Sequence, residues 1–183
     1  PERRRGANPL RLRWTALLEQ THQVLRHLVG LGQHRDAGLD QDLLEGLDHA
    51  ARAGYDGMGI RLYPSPTMPF FPVVGDKDAE NKVRAAIRDT GIKVYEIFTC
   101  YLQPDMDTEA MMRAHEFGRE LGADWAVIIG DDDDWGRMVD NFGRLCDNAK
   151  KIGLTLSVEL PVNSRKLNNF ELCTRLLREA GRD

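Results

Sequence analysis

The 183-residue chain has only three cysteines, Cys100, Cys146 and Cys173, and no CxxC pair. An odd set without that spacing argues against a disulfide framework and for reduced thiols, hence a cytoplasmic home. No apolar run approaches the ~20 residues that a membrane helix needs. The opening PERRRGANP is basic but lacks an apolar core, so no secretory leader is expected there. Neither sign of charge dominates: the net charge is -4, which gives no general pull toward nucleic acid or an anionic membrane. GxGxxG, GxxxxGK[ST] and GxSxG are all missing, which removes the usual sequence warrants for a dinucleotide fold, a P-loop and a serine-hydrolase elbow. What remains is an ordinary globular composition, 42% hydrophobic and 30% charged, at a length that suits one domain.

Glycine is where the pattern lies. It recurs just before an apolar run, in AARAGYDGMGIRLYP at Gly54, AAIRDTGIKVYEIFT at Gly91, RELGADWAVIIGD at Gly122, NAKKIGLTLSVELP at Gly153 and LLREAGRD at Gly181. Each of these glycines closes an amphipathic stretch and opens a short hydrophobic one. A helix end that turns left-handed and then enters a strand has this signature. Helices and strands alternating at about 30 residues are βαβ units and build a parallel sheet. The chain stops at Asp183, where another strand is due, so it is expected to be part of a larger protein.

The regular pattern runs over residues 40–183. Helices are expected from Asp40 through Ala53, from about Asp78 to Thr90, from a cap at Asp107 or Thr108 to near Leu121, from a cap at Asp133 or Asp134 to Ile152, and from Asn168 or Asn169 to Ala180. Strands are expected at 57–62, 93–99, 125–130 and 154–160. The loop 63–75 carries four prolines and cannot be helix. Residues 1–39 differ: they hold seven arginines, no lysine and three of the five histidines, and they read as a poorly specified N-terminal segment with no recognisable opening strand.

Two closures suit such a pattern, part of a (β/α)8 TIM barrel or a flavodoxin-like doubly wound sheet. The fourth strand favours the barrel. Thr155, Ser157 and Glu159 alternate with Leu154, Leu156, Val158 and Leu160, so one face is polar and ends in a carboxylate. A barrel lumen leading to a site at its C-terminal mouth accepts that face; a central strand of an open sheet is usually apolar on both sides.

Function in parallel α/β folds gathers at strand C-terminal ends. Glu159 is the strongest candidate, because an inward carboxylate there is costly unless paired or liganded. Glu96, read as one or two residues from its strand end, is second. Arg61 could neutralise either carboxylate or hold an anionic group through its fork of donors. The run Asp131–Asp134 resembles a metal site but reads better as helix capping. His49 and His115 read as packing or surface residues, and Cys100 lacks a nearby histidine to make it a nucleophile.

The stretches quoted above, together with FGRELGADWAVIIGDDDDWGRMVDNFGRLCDNAKKIGLTLSVELPVN, resemble the xylose isomerase-like TIM-barrel superfamily of sugar phosphate isomerases and epimerases. That resemblance implies a barrel binding one divalent cation (Mn2+, Mg2+ or Co2+) and a small polyhydroxy carbonyl substrate. It makes Glu159 the first metal ligand and a proton-transfer residue, and Asn163 a substrate contact beside Arg61 and Glu96. The other ligands of the family pattern would lie beyond residue 183. Neither nucleic acid nor membrane is an expected partner, and the superfamily's endonuclease chemistry is disfavoured by the acidic balance. A non-catalytic half-barrel that forms a homo-oligomer or pairs with another chain is the alternative.

Overall fold

Three of the helices hand over to the following strand through the same hydrogen bond. Tyr55 N donates to Ala50 O at 3.0 Å, Ala123 N to Gly118 O at 3.0 Å and Leu154 N to Ala149 O at 2.9 Å. Each bond reaches back five residues and closes a helix end whose carbonyls would otherwise be orphaned. The glycine inside each bonded loop, Gly54, Gly122 or Gly153, has positive φ, as do Gly91 and Gly181. At Gly153 φ is 71° and ψ 34°, a left-handed conformation in which a Cβ would be strained.

The computed structural model describes residues 43–64, 72–161 and 166–182. Over them the order is α1 (Leu43–Arg52), β1 (Gly57–Arg61), α2 (Lys77–Thr90), β2 (Lys93–Leu102), α3 (Thr108–Glu120), β3 (Trp125–Gly130), α4 (Trp135–Ile152), β4 (Thr155–Val158) and α5 (Phe170–Ala180). The 1–39 segment, the Asp40 cap and Asn163 lie outside the described residues. No helix among those described is long and apolar enough to cross a membrane.

Local chemistry explains the starts. Asp76 accepts from Asp78 N and Ala79 N, Asp107 from Ala110 N, Asp134 from Arg137 N and Asn169 from Leu172 N, at 2.9–3.1 Å. Such caps contribute on the order of 1 kcal/mol each. Three strands differ from the sequence reading, β1 only by ending at Arg61 rather than at 62. β2 continues three residues past Thr99, because Cys100, Tyr101 and Leu102 find partners in Ile128, Ile129 and Gly130. β4 is shorter than 154–160, because the Leu154 N–H is taken by the helix end and Pro161 has no N–H to extend a ladder. Cys100 therefore lies inside β2, fully buried, where desolvation pushes its thiol up to about 12.

All neighbours are parallel, and the sheet order is β1-β2-β3-β4. This settles the closure. A doubly wound sheet reverses direction at one point, with helices on both faces. Four strands laid down in sequence by right-handed crossovers put every connecting helix on one face. The arc is part of a (β/α)8 barrel, with an outer face under helices and an inner face turned to the barrel axis.

The core lies between the outer face and the helices. Ile60, Val94, Ile97, Ala126 and Ile128 meet Met138, Phe142, Leu145 and Ala149 of α4 and Met111, Ala114 and Phe117 of α3. The α4 spacing of four, three and four residues makes one stripe. Burying each large side chain contributes roughly 1.5–3 kcal/mol.

Two polar groups are built into this core. Asp132, 2% exposed, accepts two bonds from Arg137 at 2.7 Å and one from Asp134 N at 2.8 Å. The acidic run is thus capping and loop anchoring, with the bonds from Arg137 chiefly holding the Asp132 carboxyl below its usual range. His115 is fully buried and meets Tyr63 edge-on at 5.9 Å. Both ring nitrogens, Tyr63 OH and Asn148 Oδ1 are buried without a hydrogen bond of good geometry. Burial pulls the imidazole down to about 4, and the neighbouring Asn148 offsets this only in part.

Two outcomes follow. Between pH 6.5 and 4 the unfolded chain binds a proton at His115 that the folded chain refuses, so stability falls on acidification. Urea titrations at pH 7 and pH 4.5 should differ by on the order of 2–3 kcal/mol from this group, and His115→Gln should flatten the difference. Asp132→Asn should cost about 1–2 kcal/mol at pH 7, since Arg137 is half-exposed and water screens the pair; thermal melts of the two proteins measure it.

Candidate functional site

The inner face begins with two glycines. Met58 and Ile60 point to the helices, so Gly57, Gly59 and Arg61 point inward. A Cβ on Gly59 would stand 2.7 Å from Phe98 Cε1 and 2.9 Å from Glu96 Cγ, and one on Gly57 2.6 Å from the Tyr95 ring. Side chains of β2 thus lean over β1 into space that only glycine leaves.

β2 carries the irregularity that turns Glu96 inward. Met58 pairs with Val94 but Gly59 pairs with Glu96, so Tyr95 is an extra residue. This bulge lets Val94 and Ile97 both face the core. Glu96 lies mid-strand, six residues before Leu102, rather than one or two from the strand end. It is half-buried, and its carboxyl is raised above the usual range, first by burial and then by the charge of Glu159. The structure therefore brings these two predicted residues onto one face.

β3 and β4 supply the rest. Trp125 pairs with Thr155 and Val127 with Ser157, and all four face inward. The alternation continues to Glu159, exposed just past the end of β4, whose N–H donates to Ile128 O at 2.9 Å. Arg61 closes β1 at the same, C-terminal end of the sheet. Its guanidinium carbon lies 5.3 Å from the centroid of the Phe98 ring. Partial burial lowers its pKa, an effect that nearby Tyr101 opposes. Phe98, Tyr101 and Trp125 are not singled out by sequence, because the letters do not distinguish an aromatic ring that fills a core from one that lines the inner face.

This arrangement can hold a polar ligand between a cation on β1 and carboxylates reaching in from β2 and β4. A carboxylate at Glu159 can accept a proton from it. The donor set does not fit a divalent ion by itself: among the described residues no three His, Cys, Asp or Glu side chains converge as a metal site.

Known proteins share this architecture. A fusion protein of a xylose isomerase-like TIM barrel with 4-hydroxyphenylpyruvate dioxygenase superposes with a TM-score of 0.53 at 23% identity, over 78% of this chain and 24% of that one. An uncharacterised protein from Parabacteroides distasonis gives 0.54 at 15% identity, over 79% and 55%. D-allulose 3-epimerase from Methylomonas sp. gives 0.56 at 16% identity, over 76% and 53%. The chain thus spans from about a quarter to about half of the length of these structures. At such identities the likeness is one of fold. No curated protein matches. Residues 47–183 match the family described as xylose isomerase-like TIM barrel, and the chain belongs to that family.

Proposed function

We propose that this chain contributes the first catalytic carboxylate, Glu159, of an isomerase or epimerase that moves a proton next to the carbonyl of a small polyhydroxy compound. The observation that carries the reading is the place of Glu159, at the C-terminal end of β4 on a polar inner face. The family match and the fold shared with an epimerase support it.

The chemistry balances with the residues named. Glu159 takes the proton from the carbon beside the carbonyl, and the C–H electron pair moves through the carbon–carbon bond onto the carbonyl oxygen. The same carboxyl gives the proton to the former carbonyl carbon, while the hydroxyl proton on the neighbouring carbon passes to the former carbonyl oxygen and that carbon becomes the new carbonyl, giving the isomer. Glu96, whose carboxyl is raised by burial and by Glu159, holds a proton for a substrate oxygen in this reading. Arg61, Glu96 and Asn163 serve as substrate contacts in this reading. A divalent cation, Mn2+, Mg2+ or Co2+, belongs to it only with ligands beyond the described residues.

Two measurements test this. In carbon-detected titrations Glu96 should titrate above the ordinary glutamate range, and Glu159→Gln should lower that value by removing a like charge. A Glu96 titration that ignores the substitution would separate the two carboxylates. Loss of the hydrogen signal beside the carbonyl of ketoses in D2O, followed by proton resonance with the purified chain, should slow by about 100-fold or more in Glu159→Gln. No exchange with any ketose, or equal exchange in the variant, defeats the catalytic reading. If the same sample then sediments as a dimer, the half-barrel that associates with a second chain takes its place, a reading favoured by the 38% exposure of Tyr95 beside the strand edge at Gly57.

A further inference from the structure

We infer that Tyr101 is a second catalytic residue of this barrel, whose phenol carries a proton between the two substrate oxygens while Glu159 moves the proton on carbon. The inference rests on the role proposed above for Glu159 and adds the oxygen side of the same reaction.

Register places the two groups at one level. Tyr101 pairs with Ile129 of β3. On the other side of β3, Glu159 N donates to Ile128 O, the bond that sets Glu159 beside Ile129 in a parallel ladder. Tyr101 and Ile129 face inward with Glu159. Cys100, Leu102 and Ile128 are buried against the helices, and a Cβ on Gly130 would stand 2.9 Å from Met138 Sδ of α4; the residues between them point the other way. An extra residue in β2 between Ile97 and Cys100 sets this facing. Both of those side chains pack toward the helices across it; without it Tyr101 would turn into the core.

Across the face this level reads phenol, apolar floor, carboxylate. Ile129 is 8% exposed and lies outside the core packed under the helices. Two strand spacings, roughly 10 Å along the sheet, separate β2 from β4. A small carbonyl compound laid on Ile129 is therefore flanked by a phenol on one side and a base on the other, at the sheet end where parallel α/β folds bind their ligands. Glu96 pairs with Trp125, four residues and about 13 Å lower, so it serves an oxygen farther along the substrate. Asp131, set beside Gln103 by its bond to Leu102 O, lies one inward position higher and accepts from the Gln103 side chain at 3.2 Å.

The step balances. As Glu159 takes the proton from carbon, the carbonyl oxygen gains the electron pair and the Tyr101 O–H gives it a proton, leaving an enediol and a phenolate. The phenolate then takes the hydroxyl proton of the neighbouring carbon, whose O–H electron pair forms the new carbonyl. The electron pair between the two carbons takes the proton back from Glu159 at the former carbonyl carbon, and both side chains end as they began. A phenol suits this work because it donates and accepts through one atom, and the two oxygens stand on adjacent carbons. Arg61 lies within electrostatic reach: burial lowers its pKa and Tyr101 opposes that shift. The same attraction favours the phenolate while it lasts.

Proton exchange of D-fructose, D-tagatose and dihydroxyacetone in D2O, with the whole chain and its variants, tests the inference. Tyr101→Phe keeps the ring and loses the hydroxyl; it should slow exchange by about 100-fold or more while melting at the parent temperature. With the parent chain the rate should fall at alkaline pH as the phenol loses its proton. Placing 3-fluorotyrosine, a more acidic phenol, at position 101 should move that fall to lower pH, a shift that a merely structural tyrosine would not produce. If Tyr101→Phe melts early, the fluorotyrosine chain decides. Parent-like exchange in Tyr101→Phe, or an alkaline fall that fluorotyrosine leaves in place, overturns the inference. Slow exchange in Glu159→Gln beside parent-like exchange in Tyr101→Phe sinks this inference alone. The reverse pair of results sinks the role of Glu159 alone, and a parent chain that exchanges none of the three ketoses overturns both.

Discussion

A parallel strand cannot be reached from its neighbour by a tight turn; the chain must cross the sheet on one side and come back. That constraint governs this molecule. With right-handed crossovers and strands added in order, every helix falls on one face. The two faces then obey different rules. The outer one is buried under α3 and α4 and is filled with Ile, Val, Ala and Leu. The inner one is free to carry Arg61, Glu96, Thr155, Ser157 and Glu159. The bonds from Tyr55, Ala123 and Leu154 back into their helices make the geometry repeatable, since each starts the next strand within five residues of the preceding helix. A helix that frayed there would delay its strand and lose the register that sets which side chains face inward.

Charge on the inner face is held at a cost the fold limits in two ways. Glu159 stays exposed and keeps its hydration. Glu96 does not, and its carboxyl shifts toward the neutral form under burial and a like charge. A group pushed that way stabilises the fold less as pH rises through its folded value. Its retention opposes stability at neutral pH, and positions of that kind gather at functional sites. His115 works with the opposite sign in the outer layer, losing its proton to burial and tying stability to neutral pH. The two faces thus respond to acid differently: the core weakens while the inner face sheds its repulsion.

Much of the architecture was legible because it is local. Glycine positions, helix caps and the 125–130 strand depend on a few neighbouring residues, and the polar alternation of β4 shows in seven consecutive letters. What escaped was non-local. Nothing in KVYEIFTCYL announces that Tyr95 bulges or that pairing with β3 carries the strand to Leu102, so Glu96 was read too near a strand end. The chelation of Asp132 by Arg137 runs between a loop and the first helical turn; in sequence it is hidden among four aspartates of equal rank. The inward Phe98 and Trp125 were masked for a related reason: the letters do not distinguish a ring that fills a core from one that lines a barrel. Asn163 lies outside the described residues.

The asymmetry of the inner face has its origin in the smallest residues on it. A side chain at Gly59 would displace both Phe98 and Glu96. With glycine there, the Phe98 ring can settle beneath the Arg61 guanidinium, and Glu96 can lie low on the sheet, away from the end where Arg61 and Glu159 stand. Had β1 carried ordinary strand residues, its side chains would fill the near half of the lumen and the charges would be forced to its rim. The placement of Phe98 and Glu96 on the inner face is therefore a packing result before it is an electrostatic one. Two missing Cβ atoms on β1 thus decide where the side chains of β2 lie on that face.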